Sequence, residues 1–225
     1  MDTSKVVIAI DGPAGAGKST VSKILSNNLG IRYLDTGAMY RALAWKSLQN
    51  GLTTDQGDLA AQLLDQTVID FGIGEPQPVF VDGVDVTAEI RTPQIGEAAS
   101  AISQHTPVRQ RMVERQQQLV AGGGVILEGR DVTTVVAPNA TLKVYLTASL
   151  EERAKRRQSE FVEKGVAANF QEVRTQILNR DHRDISREDS PLTVAADACV
   201  VESAEHSPTE VADIITKLLL ERIEK

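Results

Sequence analysis

Apolar residues along this chain follow two alternating rhythms. Lys5–Ile10 (KVVIAI) is a continuous, largely β-branched run that stops at Asp11-Gly12, the pattern of a strand buried on both faces. Lys18–Leu29 follows at helical spacing, with Val21, Ile24, Leu25 and Leu29 on one face and Gly30 placed to end it. Ile31–Leu34 reads as a second strand and Ala38–Leu48 as a second helix. Further on, Val125–Leu127, Leu142–Leu146 and Ala198–Val201 read as three more core strands. Helices are predicted from Pro107 to about Val120, where Gly122–Gly124 end the pattern, after Ser149, from Gln171 to His182, and over Pro208–Ile223. Ser149 with Glu152 three residues on is a capping-box signature, and Lys164-Gly165 breaks the helix that it opens. Strands alternating with helices predict an α/β fold, a five-stranded parallel sheet flanked by helices.

The stretch from Leu52 to Pro107 has a different texture. After a short helical segment, Leu59–Leu64, the runs Thr67–Phe71, Pro78–Asp82 and Val84–Thr87 alternate with period two between Gly, Pro and Asp residues. That predicts a small antiparallel β insertion within the βαβ series. At 225 residues the chain is too short for two full domains of about 150 residues each. It reads as one domain carrying that insertion.

Composition narrows the function. Hydrophobic residues make up 41% and charged residues 24%, so the chain is expected to fold throughout. The net charge of −7 speaks against a general binder of nucleic acid polymers, which needs a basic surface. A single cysteine, Cys199, excludes an internal disulfide and suits a reducing compartment. Val6–Ile10 is too short for the apolar core of a signal peptide, and no run approaches a membrane span of roughly 18 residues. A cytoplasmic protein with no membrane partner is expected, and, with nothing pointing to an obligate interface, a monomer. The histidines have no metal-ligand spacing with Cys199, so no zinc site is expected.

The chemistry begins at Gly12-Pro13-Ala14-Gly15-Ala16-Gly17-Lys18-Ser19, followed by Thr20, which matches G-x-x-x-x-G-K-[ST] between a buried-type strand and a helix. Glycines let successive N–H groups converge, and the helix N-terminus adds partial positive charge. Lys18 is positioned to reach the β- and γ-phosphates of a nucleoside triphosphate, and Ser19 to ligate Mg2+. The absence of an N-K-x-D motif argues against a GTPase. Thr36 and Arg41 follow the second strand and suit either an anion or plain helix capping with a solvated arginine; Arg130-Asp131 follows the third and suits either a polar reader or a structural ion pair. Arg153, Arg156 and Arg157 share one helical face, and Arg180, Arg183, Asp184 and Arg187 share another. Each cluster alone suits a solvated face with Glu partners; flanking the break near Gly165, together they suit two arms of a lid that closes on phosphates.

These segments together resemble the bacterial cytidylate kinase family from about residue 5 to 223. The resemblance is carried by IDGPAGAGKST, YLDTGAMYRALA, VDGVDVTAEIRT, VILEGRD, SLEERAKRR, RDHRDISR and PLTVAADA. It implies a P-loop nucleoside monophosphate kinase fold. The core would be about 1–36, 122–150 and 186–225, the monophosphate-binding region with its insertion 37–121, and the arginine-rich helical lid 151–185. It implies ATP-dependent phosphorylation of CMP and dCMP with Mg2+. Thr36, Arg41, Ser100, Arg109, Arg130 and Asp131 would contact the monophosphate, Asp184 and Arg187 its ribose. Arg153 would lie near the adenine of ATP, and Lys18, Arg157, Arg180 and Arg183 would grip the transferring phosphate. Thr133 and Ile185 depart from the family's common residues, the former implying a stiffer loop after Asp131. The other readings are a related P-loop kinase (UMP, AMP or shikimate type) and a nucleotide switch without turnover.

Overall fold

The computed structural model describes residues 3–163 and 165–224. It divides into two compact units: Asp35–Leu119, and the described residues on either side of it.

The flanking unit is built on a five-stranded sheet in the order β2-β6-β1-β7-β8 (β1, Val7–Asp11; β2, Arg32–Asp35; β6, Val125–Gly129; β7, Leu142–Thr147; β8, Cys199–Glu202). β1 lies at its centre, parallel to β6 and β7, with Ile8 beside Ile126 and Leu142. Its all-apolar interior follows from this position, since both faces are covered. Helix α1 (Lys18–Leu29) contributes Val21 and Leu25, and α8 (Pro208–Ile223) contributes Val211, Ile215 and Leu219 to one core with Ile8, Ile10 and Ile126. Each helix ends as its sequence dictates. Gly30 adopts the left-handed conformation and bonds back to the Ser26 carbonyl. Ser207 and Glu210 close a reciprocal capping box on α8. Registration of Asp11 with Gly129 brings the ends of β1 and β6 level, and β7 runs two residues beyond Tyr145, so the loops after all three emerge at the same end of the sheet.

Helices α6 (Leu150–Glu163) and α7 (Phe170–Ser186) pair through a small core of their own, Ala154, Val173 and Ile177 with Phe161 and Phe170. Ser149 accepts the Glu152 N–H at 3.2 Å, the first half of the expected cap. Gly165 takes a φ of 72° between the two helices; Lys164, named with it in the helix break, lies outside the described residues. Helix α7 runs one turn past the His182 end read from the sequence.

The Asp35–Leu119 unit is organised around α2 (Thr36–Gln49), which packs against α3 (Gly57–Asp65), α4 (Pro93–Ile102) and β4. The antiparallel sheet β3-β4-β5 (Ile69–Phe71, Val79–Val81, Val84–Asp85) is the predicted insertion with shorter strands. Asp82 and Gly83 both take positive φ in the turn joining β4 to β5, the pairing that a tight hairpin needs. Helix α4 was not read from the sequence. Its signal is nonetheless present: Thr92 caps it, Pro93 opens it, and Ile95, Ala98, Ala99 and Ile102 line its buried face. The last helix, α5 (Thr106–Val120), was read correctly to within one residue.

Leu25 is fully buried in the main core, whereas Leu220 is 41% exposed. Leu25→Ala is expected to destabilise the protein by about 2–5 kcal/mol in urea unfolding, and Leu220→Ala by under about 1 kcal/mol.

Candidate nucleotide site

The phosphate loop leaves β1 through Gly12, where a Cβ would lie 1.9 Å from the Leu146 carbonyl oxygen, so only glycine fits. Gly15 and Gly17 take φ of 78° and 91°, which turns the backbone into the start of α1. Pro13, Ala14 and Ala16 are buried, while Ser19 and Thr20 are exposed on the first turn. That turn carries no acidic residue to neutralise its positive end. Lys18 folds back over the loop and donates to the Gly12 and Pro13 carbonyls at 2.7 and 2.8 Å. Burial pulls its ammonium group down to about 7, helped by Arg130 and Arg180 and opposed by Glu128 and Asp11. A buried amine beside two guanidinium groups is a site short of negative charge.

The loop is braced from α6 and α7. The Ala14 N–H donates to Asp181 at 3.1 Å, and Arg153 donates to the Ala14 carbonyl at 3.0 Å. Arg153 and Asp181 are themselves ion-paired at 2.5 Å, and Arg153 also donates to the Ala148 carbonyl at 3.0 Å. The arginines at helical spacing on α6 therefore do three different things. Arg153 turns inward to the loop backbone. Arg156 donates to the Ser203 hydroxyl and carbonyl at 2.9 and 2.7 Å, and that hydroxyl donates to the Ala16 carbonyl at 3.1 Å. Arg157 is half-exposed, paired with Glu160 at 2.7 Å and lying 4.6 Å from the Phe161 ring centre. The single cationic face read from the sequence is split because α6 runs alongside the loop.

On α7, Arg180 and Arg183 are partly buried. Asp184 pairs with Arg130 at 2.8 Å and with Arg187 at 3.7 Å. Burial alone would raise its carboxyl; Arg130, Arg180 and Arg187 outweigh that and hold it below the usual carboxylate value. So the ion pair anticipated at Arg130 is made with Asp184, and Asp131 follows a different course. It precedes a π-helical turn, Val132–Val136, whose cap is not its own side chain. Glu128, near the end of β6, is buried and accepts a hydrogen bond from Tyr33.

In the other unit, Asp35 caps α2 by accepting the Ala38 N–H at 2.9 Å and pairs with Arg41 at 2.5 Å. This removes the capping alternative for Thr36: α2 begins one residue earlier than a Thr36 cap would require. Thr36 is instead buried in its first turn. Ser100 comes from α4, buried at 6% exposure, and its hydroxyl has no hydrogen-bond partner among the described residues. Arg109 comes from α5, 2% exposed, donating to the Ser103 carbonyl at 3.2 Å and lying 5.5 Å from the Tyr40 ring centre. A buried arginine over the Tyr40 ring of α2, and an unsatisfied hydroxyl on α4, which packs against α2, suit a planar polar ligand.

Sequence reasoning missed Asp11, Glu128, Asp181 and Ser203. Asp11 and Glu128 interrupt otherwise apolar strands, and Asp181 sits inside the arginine run, so a signal existed for these three. Ser203 had none. Among the described residues no cluster of three or more His, Cys, Asp or Glu is arranged for a metal. Magnesium, however, needs only one or two protein oxygens besides phosphate and water. The exposed Ser19 hydroxyl, next to Lys18, fits that requirement.

The sequence model of the family "Cytidylate kinase" matches residues 8–221. Curated relatives named cytidylate kinase include one from Listeria welshimeri, 45% identical over 98% of this chain and 99% of the relative. Another, from Caldicellulosiruptor bescii, is 46% identical over 95% of each. Among solved structures, shikimate kinase from Acinetobacter baumannii aligns with a TM-score of 0.50 at 16% identity, covering 99% of this chain and 97% of that one. An uncharacterized protein from Eubacterium ventriosum aligns at 0.53 and 11% identity over 96% and 98%. These structural likenesses speak to the fold alone. The sequence relationship goes further: this chain belongs to the cytidylate kinase family.

Proposed function

We propose that the chain transfers the γ-phosphoryl group of ATP to CMP and dCMP, giving ADP and CDP or dCDP. The observation that carries this reading is a phosphate loop of correct geometry, with Lys18 buried among cations, in a chain of this family. The acceptor is a phosphate oxygen that is already anionic, so no general base is required. Catalysis then rests on positioning and on positive charge around the transferring group.

In this reading the N–H groups of Gly12–Thr20 cradle the ATP phosphates, and Lys18 moves from its carbonyl partners to the β- and γ-oxygens. Arg157, Arg180 and Arg183 neutralise charge on the transferring group. Mg2+, held through Ser19 and the phosphates, supplies further neutralisation when bound. Arg153 braces the loop through Ala14 and Asp181 and lies near the adenine of ATP. Thr36, Arg41, Ser100, Arg109, Arg130, Asp131, Asp184 and Arg187 serve the monophosphate. Residues 151–185 would be the lid and 37–121 the monophosphate-binding region. The chain would work as a cytoplasmic monomer; no helix among the described residues is long and apolar enough to cross a membrane.

The cytosine edge presents an N4 donor beside N3 and O2 acceptors. The Ser100 hydroxyl and the Asp131 carboxylate can accept from N4, and Arg109 or Arg130 can donate to N3 and O2. Uracil places a carbonyl where N4 was; the Ser100 hydroxyl can turn to donate to it, but the Asp131 carboxylate is left facing an acceptor.

Two outcomes are expected. ADP release with CMP and dCMP should exceed that with UMP, AMP or GMP, and Asp131→Ala should lower kcat/KM for CMP by roughly a hundredfold while narrowing the gap to UMP. Equal turnover of UMP and CMP by the native enzyme would contradict the base assignment. The second concerns protons. The Lys18 amine is held at about 7, so most of it is neutral at pH 8, and a bound polyphosphate restores its charge. ATP binding should therefore take up a proton at pH 8 and almost none at pH 6. Calorimetry in buffers of differing ionisation heat measures this, and Lys18→Met should abolish the uptake.

A further inference from the structure

Asp11 ends β1 immediately before Gly12, and none of the roles above uses it. Its side chain is wholly buried at the C-terminal end of the central strand. A buried carboxylate needs compensation, and Asp11 receives it from two residues far along the chain. The Val132 N–H donates to Oδ1 at 3.0 Å, the Thr133 N–H to Oδ2 at 2.8 Å, and the Thr133 hydroxyl to Oδ2 at 2.6 Å.

The two N–H groups are those that open the Val132–Val136 turn. A helical turn leaves such donors unpaired and usually takes its cap from the residue just before it. Here that residue is Asp131, whose carbonyl accepts from Val135 and Val136 at 2.9 and 3.2 Å, but whose side chain makes no capping bond. The cap comes from a carboxylate 121 residues earlier. An aspartate in the Asp131 position would otherwise fold its carboxylate over the turn. Asp11 performs that task, so the Asp131 side chain is not committed to it.

We propose that Asp11 and Thr133 are positioning residues, capping the Val132–Val136 turn in place of Asp131 and so fixing Arg130 and Asp131 for reading the acceptor base. The inference rests on the assignment of Asp131 to the cytosine N4 group. Because Asp11 is joined directly to Gly12, one carboxylate sets both the turn and the start of the phosphate loop. Thr133 is the gentler point of intervention, since its hydroxyl contributes one of the bonds to Asp11 and its N–H keeps another.

The test compares Thr133→Val, which keeps shape and loses the hydroxyl, with Thr133→Ser, which keeps the hydroxyl, and with Asp131→Ala. For each, kcat and KM are measured for CMP, UMP and ATP, alongside thermal unfolding. Thr133→Val should reduce the ratio of kcat/KM for CMP over UMP by roughly three- to tenfold, mostly through KM for CMP, with KM for ATP within about twofold. Thr133→Ser should restore the native ratio. In an Asp131→Ala background, Thr133→Val should lower the ratio no further. If Thr133→Val lowers the melting temperature but leaves the ratio unchanged while Asp131→Ala collapses it, the capping role is structural only and the proposal fails alone. If Asp131→Ala leaves the ratio unchanged, the base assignment fails and takes the proposal with it. Asp11→Asn, where it folds, should exceed Thr133→Val in the same direction.

Discussion

A cradle of backbone N–H groups can grip a polyphosphate only if the loop bearing them stays in shape without it. That constraint governs much of the larger unit. The loop has almost no side chains of its own to pack, and its glycines are there because the backbone must pass within contact of Leu146 and turn through positive φ. Its rigidity is supplied from outside. Asp181 and Arg153 hold both polar groups of Ala14, Ser203 holds the Ala16 carbonyl, and Lys18 spans the Gly12 and Pro13 carbonyls. The helices that carry Asp181 and Arg153 also carry the arginines proposed to meet the transferring group, so bracing and charge delivery share one scaffold.

The electrostatics are local and opposite to the global balance. A chain of net charge −7 gathers Lys18, Arg130, Arg180 and Arg187 around the phosphate loop and Asp184. Such crowding is tolerable because Asp184 sits among the arginines and Glu128 and Asp11 lie near the lysine. The balance still leaves Lys18 easily deprotonated, which is the electrostatic form of an anion site waiting for its anion. Binding a triphosphate would relieve the strain among these cations, so affinity and charge stabilisation would draw on the same arrangement.

Much of this was legible in the sequence, for identifiable reasons. Strands buried on both faces announce themselves as apolar runs, and the phosphate loop is a local motif whose residues act where they stand. Helix α4 was hidden because its small apolar residues resemble turn composition, although Thr92-Pro93 marks its start. Spacing alone could not separate Arg153, Arg156 and Arg157, since a helical face says which residues point together and not what they meet. Arg153 meets Ala14 and Asp181, 139 and 28 residues away in the chain, and no local pattern encodes such pairings. Asp11 shows the same limit. Its position at a strand end was plain, and its partners at Val132 and Thr133 required the sheet to bring β1 and β6 side by side.

The central claim is that this braced and positively charged loop delivers a phosphoryl group to a second nucleotide and not to water. The direct measurement is the fate of label from [γ-32P]ATP in the presence of CMP and magnesium, followed by chromatography of the products. The account predicts label in CDP, with inorganic phosphate a minor product. Label appearing chiefly in inorganic phosphate, or ATP bound without any transfer to CMP, would contradict it.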